Sequence, residues 1–212
     1  MGDKKKGILM IVSGFAGSGK GTVVKRMLSD YDNYALSISA TTRNPRPGEE
    51  HGREYFFVSK SEFESMIKDD ALLEYAQYVD NYYGTPKKYV EEMLEAGKDV
   101  ILEIEQQGAL KVKEKCPDAV LLFLMPPTVE EVYNRLKKRG TETEDVIMKR
   151  MSQGAVEAEV IEKYDYLIIN DDLGECVKDV NSAIQSAKHC VNRNIDFIND
   201  VKKQFKEFLK ED

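Results

Sequence analysis

The sequence predicts an α/β fold: a three-layer α/β/α core around a parallel sheet, with one inserted segment that carries short strands of its own. Three observations predict it. First, Gly14-Phe15-Ala16-Gly17-Ser18-Gly19-Lys20-Gly21-Thr22 follows an apolar run, Ile8 to Val12, and precedes the helical spacing Val23, Val24, Met27 and Leu28. A G-x-x-x-x-G-K match between strand and helix is the context of a phosphate-binding P-loop. Second, apolar runs of strand length alternate with helical patterns, which implies a parallel sheet covered on both faces. Third, short strands break that rhythm between about residues 36 and 96, marking an insertion. A length of 212 residues suits one core carrying such an insertion.

The elements follow in order. After the first strand and the helix beginning near Lys20, Ala35 to Ala40 alternates weakly and reads as a second strand. Thr41 to Glu49 is a loop by its prolines and glycine, and Glu54 to Val58 is a short aromatic strand. Ser59 or Ser61 caps a helix to about Lys68 with Phe63, Met66 and Ile67 on its apolar face. Leu72 to Val79 and Tyr82-Tyr83 form a hairpin around Asp80-Asn81. Thr85-Pro86 reads as N-cap and first helical residue of a helix ending at Gly97. Asp99 to Glu105 is a buried strand, followed by a helix and the strand Ala119 to Met125. Thr128-Val129-Glu130-Glu131 predicts a capping box opening a helix to about Arg139. A polar break at Gly140 to Asp145 precedes a helix to about Lys163, and Tyr166 to Asn170 is the last strand. The expected division is a single domain over 1–212, with core segments 7–35, 97–126 and 164–190.

The tail, 191–212, continues as a helical extension. Ile195, Ile198, Val201, Phe205 and Phe208 form one apolar stripe on it. Packing on the chain's own core is the expectation for that stripe, and a homodimer contact the alternative.

Composition narrows the function. The chain is 42% hydrophobic and 33% charged, so a sizeable core is possible. A net charge of −7 argues against a nucleic-acid polymer as partner. Three cysteines without a C-x-x-C pair fit a reducing, cytoplasmic setting, and two isolated histidines do not make a zinc site. No run is long enough to span a membrane. Six of the eight arginines cluster in two windows, Arg43, Arg46 and Arg53, then Arg135, Arg139 and Arg150. Guanidinium forks suit phosphate, so these read as anion sites.

At the P-loop itself, the glycines let backbone N–H groups face a phosphate, and the helix beginning near Lys20 adds its positive end. The Lys20 ammonium reaches the β- and γ-phosphates, so the chain is expected to bind a nucleoside triphosphate such as ATP. Gly21 stands where a Ser or Thr hydroxyl usually holds Mg²⁺, and Thr22 comes one residue late.

Beyond the P-loop, Ser39-Ala40-Thr41-Thr42-Arg43-Asn44-Pro45-Arg46-Pro47-Gly48-Glu49 with Gly52-Arg53-Glu54-Tyr55 resembles the GMP-binding segment of guanylate kinases. So do Leu73-Glu74-Tyr75-Ala76 and Asn81-Tyr82-Tyr83-Gly84-Thr85, while Arg139-Gly140-Thr141-Glu142-Thr143-Glu144 resembles the family's lid. The resemblance spans roughly residues 7 to 185 and implies ATP + GMP ⇌ ADP + GDP, with Mg²⁺ bound alongside ATP. It makes 36–96 a GMP-binding insertion and 127–163 a helical lid.

Guanine offers N1–H and N2–H₂ as donors and O6 as an acceptor; a carboxylate takes the two donors and a hydroxyl serves O6. Glu74, in an apolar and aromatic stretch, is the candidate carboxylate. The resemblance adds Ser39, Thr85 and Glu105 to the base pocket, Arg43, Arg46, Tyr55 and Tyr83 to the GMP phosphate, and Glu49 as the residue orienting that network. For Thr85 a plain N-cap before Pro86 is the rival reading. Glu103 and Glu105 sit two apart at the end of their strand, and Glu103 is the candidate for holding Mg²⁺ through water, although the family more often has Asp there. Lys20, Arg43, Arg135, Arg139 and Arg150 supply the catalytic positive field, Arg135, Arg139 and Arg150 arriving from the lid, where Arg150 also serves GMP. Asn170 resembles the adenine-contacting position. Two other readings stand beside this one: a non-catalytic, protein-binding guanylate-kinase-like domain, and a P-loop kinase for another nucleoside monophosphate.

Overall fold

The computed structural model describes residues 6–78, 80–140 and 142–209. Residues 1–5, Val79 at the end of the expected hairpin strand, Thr141 in the expected lid and residues 210–212 lie outside the described residues.

Five parallel strands form the core sheet: β1 (Leu9–Gly14), β2 (Tyr34–Leu36), β7 (Asp99–Glu103), β8 (Val120–Met125) and β9 (Tyr166–Ile169), in the order β2-β7-β1-β8-β9. Alternation along β1 explains why both faces are covered. Ile8, Met10 and Val12 face one cluster with Val23, Val24 and Met27 of α1 (Lys20–Asp30) and Val177, Val180 and Ile184 of α7 (Leu173–Lys188). Leu9 and Ile11 face the other with Val90 and Leu94 of α3 (Lys87–Glu95) and Ala109 and Val112 of α4 (Gln106–Lys115). A third cluster joins Phe15 and Phe123 to Val132 and Leu136 of α5 (Val129–Lys138) and Ile147 of α6 (Glu144–Ala158).

A second sheet, of order β4-β3-β6-β5, is built from β3 (Ala40–Thr41), β4 (Phe56–Phe57), β5 (Leu72–Tyr78) and β6 (Asn81–Pro86). The single strand expected over Ala35 to Ala40 is therefore two. Ser37 still donates to the Ile101 carbonyl of the core sheet, but Ala40 and Thr41 pair with Gly84 and Tyr83. The partner changes within three residues, and an alternating pattern carries no record of which sheet it joins.

Other boundaries moved for local reasons. The aromatic strand expected over Glu54 to Val58 keeps only β4. Ser59 does cap α2 (Lys60–Lys68), reciprocally with Glu62. At α5 only half the capping box forms, because Thr128 accepts from the Glu131 N–H while the Glu131 carboxylate goes to Arg135. Pro86, not Thr85, occupies the N-cap of α3. The helix expected to run to Lys163 stops at Ala158, with a 3₁₀ turn over Ile161–Lys163.

Asp99 locks the bottom of the core. It is fully buried, accepts from the Ile8 N–H (2.9 Å) and Asn33 (2.8 Å), and pairs with Lys188 at 2.6 Å. Removing one partner of such a pair leaves the others unpaired in low dielectric. Asp99→Ala should cost about 3 kcal/mol, lowering Tm by roughly 6–12 °C in a calorimetric scan.

The tail corrects an expectation. Helix α8 (Ile195–Phe208) forms, but its stripe packs only in part: Ile198 and Val201 are half-buried, while Ile195, Phe205 and Phe208 are exposed. Phe205 and Phe208 are 65% and 70% exposed, and Phe197 widens the stripe at 67%. Among the described residues no helix is long and apolar enough to cross a membrane.

Candidate active site

The P-loop leaves the carboxyl end of the central strand β1, where an open parallel sheet places its ligand crevice. Two close approaches set its shape. Gly17 (φ 84°) lies against α5, where a Cβ would stand 3.2 Å from Leu136 Cγ. Gly19 (φ 90°) admits the Asn170 amide, whose Nδ2 would be 2.4 Å from a Cβ there. A side chain fits at neither position. Asn170 Nδ2 donates to the Ser18 carbonyl at 2.7 Å, so the buried amide of the residue after β9 pins the loop.

Among the described residues the backbone N–H groups of Gly17, Gly19, Lys20 and Gly21 make no hydrogen bond within the chain. With the first turn of α1 behind them, they form a cradle for an anion. Lys20 Nζ rests on the carbonyls of Gly14 (2.5 Å) and Phe15 (3.3 Å). The cleft beside it encloses about 350 Å³ and is bordered by Phe15 through Gly21, Glu103, Glu105, Arg139 and Arg150. Arg150 is held by Glu142 at 2.7 Å.

Two residues that the sequence did not nominate, Gln153 and Glu157, also border the cleft. Both follow Arg150 on α6, at three and seven residues, and so share its face; that spacing was the available signal. Burial, and then the neighbouring Glu105, raise the Glu157 pKa. A broader hollow of about 510 Å³ runs along α6 and shares Gln153 with this cleft.

Three expected nucleotide residues lie elsewhere. Thr22 sits on the exposed side of α1, outside the cleft. The buried side chain of Asn170, just after β9, does not line the cleft either, because it is spent on the loop. Arg135 is already docked: Nη2 donates to the Asn170 carbonyl at 2.9 Å and Nε to Glu131 at 2.7 Å. It does not wait for a lid to bring it.

Glu103 ends β7, while Glu105 has left the strand and occupies the N-cap of α4, so the two do not share a strand face as expected. Both still reach the cleft. Solvent enters at the mouth, yet the walls strip enough hydration to raise the Glu103 pKa; Lys20 works against this and Glu105 with it. Its carboxylate makes no hydrogen bond or ion pair among the described residues, and no group of three acidic, Cys or His residues forms a cage. One free carboxylate beside a phosphate cradle fits Mg²⁺, a hard cation that takes most of its oxygens from phosphates and water.

In the loop between β3 and β4, Arg43 grips Glu49 with both prongs, at 2.9 and 3.0 Å, and Glu49 also accepts from the Arg46 N–H at 2.7 Å. The pairing raises the Arg43 pKa and lowers that of Glu49. Tyr55 lies 5.4 Å below the Arg43 guanidinium, and its ring meets Tyr83 edge to face at 6.1 Å. Arg43, Glu49, Tyr55 and Tyr83 are thus one cluster, with Arg46 tied in through its backbone.

Glu74 lies in a bulge of β5, where Leu72 pairs with Pro86 but Tyr75 with Gly84. A bulge re-aims its side chain. Thr85, placed at the end of β6, donates its hydroxyl to Glu74 Oε1 at 2.7 Å. That proton is therefore committed to the carboxylate and not free for a base. Glu74 Oε2 points over Gly108, where a Cβ would sit 3.3 Å away. Burial raises the Glu74 pKa, with the Thr85 hydrogen bond opposing. Ser39 precedes β3, and its carbonyl accepts from the Phe56 N–H.

Known proteins resemble this chain over nearly its whole length. A family model described as guanylate kinase matches residues 6–187. The chain is 52% identical to a guanylate kinase of Latilactobacillus sakei over 192 residues, covering 90% of this chain and 95% of that one. It is 50% identical over 205 residues to a guanylate kinase of Clostridioides difficile, covering 97% and 98%. A crystal structure of guanylate kinase from Anaplasma phagocytophilum superposes with a TM-score of 0.69 at 31% identity, covering 90% of each chain. A family model that matches residues 6–187, with about half of all positions identical to those relatives over nearly the whole length, shows that the chain belongs to the guanylate kinase family.

Proposed function

We propose that the chain transfers the γ-phosphoryl group of ATP to GMP, giving ADP and GDP, and accepts dGMP in the same site. The observation that carries this is the half-buried Glu74 carboxylate, oriented by Thr85, with its second oxygen lying beside Gly108. It can accept from guanine N1–H and N2–H₂ together.

Arg43 and Arg46 with Tyr55 and Tyr83 hold the GMP phosphate, and Glu49 fixes the fork of Arg43 so that its outer N–H groups are aimed. Ser39 and Glu105 flank the base. A GMP phosphate oxygen attacks the γ-phosphorus, the bond to the β–γ bridging oxygen breaks, and the electron pair leaves on ADP; no protein base is required. The N–H groups of the P-loop and Lys20 hold the β- and γ-phosphates. Arg139 and Arg150 face them across the cleft, and Arg135 supplies a fixed charge behind the loop. Mg²⁺, held near Glu103, neutralises phosphate charge when bound.

The insertion over 36–96 and the lid over 127–163, apart from helix α5 with its docked Arg135, are the moving parts in this reading. A coupled ADP-release assay with ATP and GMP, dGMP, AMP, UMP or TMP tests it. Turnover with the guanine nucleotides alone is expected, and absence of turnover with all five would support the non-catalytic, protein-binding reading.

A second copy of the chain completes the proposal. Helix α8 is only partly covered, and Leu167 and Ile169 on the edge strand β9 are 52% and 42% exposed, so the chain carries two apolar surfaces that are not fully covered. Truncation after Arg193 should halve the mass seen by light scattering and leave the KM for GMP unchanged; an unchanged mass refutes the dimer.

A further inference from the structure

Two departures from the usual P-loop pattern meet in space. Gly21 stands in the first turn of α1, where a Ser or Thr hydroxyl would ordinarily touch the cation of the bound nucleotide. A Cβ built on Gly21 would lie 3.6 and 3.8 Å from the two carboxylate oxygens of Glu103, and no other atom comes within 4 Å of it. Those are ordinary contact distances, and the Gly21 backbone is not in the left-handed region, so nothing in the fold forbids a side chain there. A hydroxyl at 21, one bond further out, would fall within hydrogen-bonding reach of Glu103. The carboxylate therefore borders the space that the missing hydroxyl leaves.

The strand register explains how it gets there. Glu103 pairs with Val12, two residues before the P-loop begins, at the carboxyl end of β7. An Asp at this position would stop about 1.5 Å shorter, one carbon–carbon bond. The longer side chain spans the gap that a hydroxyl at 21 would otherwise bridge. It is also uncommitted, since no hydrogen bond or ion pair holds it among the described residues.

Building on the phosphoryl-transfer reading, we propose that Gly21 and Glu103 are a matched pair: the Glu103 carboxylate is a direct oxygen ligand of the nucleotide's divalent cation. It stands in for the hydroxyl absent at 21 and does not act through a water. A hydroxyl at 21 with the shorter Asp at 103 is the equivalent alternative pair. Glu103 also brings a full negative charge where a hydroxyl brings none.

The test is a metal-binding cycle on the full chain saturated with an imido-bridged ATP analogue and no GMP. Mn²⁺ serves as probe, and the free-ion EPR signal measures its affinity. Glu103→Asp and Glu103→Gln should each weaken Mn²⁺ binding about 10- to 100-fold, the range for losing a metal-site partner. Gly21→Ser combined with Glu103→Asp should return to within about threefold of the unaltered chain, a non-additive rescue. Line broadening in ¹⁷O-labelled water should count one more water on Mn²⁺ in Glu103→Gln than in the unaltered chain. An unchanged affinity in both Glu103 variants, a double variant as weak as Glu103→Asp alone, or an unchanged water count would overturn the proposal. Glu103→Gln, nearly isosteric, carries the test if Glu103→Asp folds poorly. GMP turnover by the unaltered chain separates the two failures: turnover without coupling sinks only the matched pair, whereas absent turnover sinks the activity.

Discussion

GMP should be phosphorylated roughly 10⁴-fold more efficiently than AMP, because a site whose buried polar groups expect donors rejects a base that lacks them. Adenine presents an acceptor at N1 and no amino group at C2, so Glu74 would face a lone pair across a partly desolvated gap. Comparable kcat/KM for both nucleotides would sink the assignment. Glu74→Gln should raise the KM for GMP, since the amide offers one acceptor oxygen and an NH₂ that clashes with the guanine N2–H₂ donor. The pH dependence gives a second handle. Burial raises the Glu74 pKa above its ordinary value of 4.5, so the neutral form persists to higher pH than for an exposed carboxylate. Only the ionised form accepts from both donors. The KM for GMP should therefore rise as pH falls through that raised pKa, and this limb should be missing from the Glu74→Gln profile.

Lys20→Ala should lower kcat by roughly 10³, about 4 kcal/mol of lost transition-state stabilisation, and leave the KM for GMP close to its original value. The geometry explains the split. Lys20 touches the loop carbonyls of Gly14 and Phe15 and faces the cleft, while the anion cluster around Arg43 and the carboxylate of Glu74 belong to the second sheet and its loops. Its ammonium is drawn off those carbonyls when phosphates arrive, so part of its attraction is spent on the exchange. The remainder acts on charge that develops during transfer. Retention of the original kcat in a steady-state assay would remove Lys20 from the mechanism.

The core and the phosphate site were legible in the chain because local signals carry them. The five-residue apolar run, the glycine spacing and the lysine lie within fifteen consecutive residues, and a strand–turn–helix needs no distant information to be recognised. A serine cap of α2, at Ser59 or Ser61, and the helix break at Gly97, two residues beyond the end of α3, are readable for the same reason. Resemblance of short motifs added the GMP-side residues, and the cluster of Arg43, Glu49, Tyr55 and Tyr83 forms as one unit.

What stayed hidden depends on partners far away in sequence. The exchange of sheets between Leu36 and Ala40 turns on pairing with residues 83 and 84. Thr85 looked like a helix cap because the residue beside it is Pro86, yet a bulge eleven residues earlier brings Glu74 to its hydroxyl. Arg135 read as part of a mobile lid because it shares a helix face with Arg139, but Asn170, thirty-five residues on, holds it against the loop. The α8 stripe is plain in the sequence, whereas how far it is covered is a fact of the fold alone. The sequence by itself determined which groups are available, namely the lysine, the arginine islands, the acids and the glycines that make room, since identity and spacing are local properties. Only the tertiary structure decided which of those groups meet, because hydrogen bonds and ion pairs form over about 3 Å and the pairs that matter are separated by tens of residues.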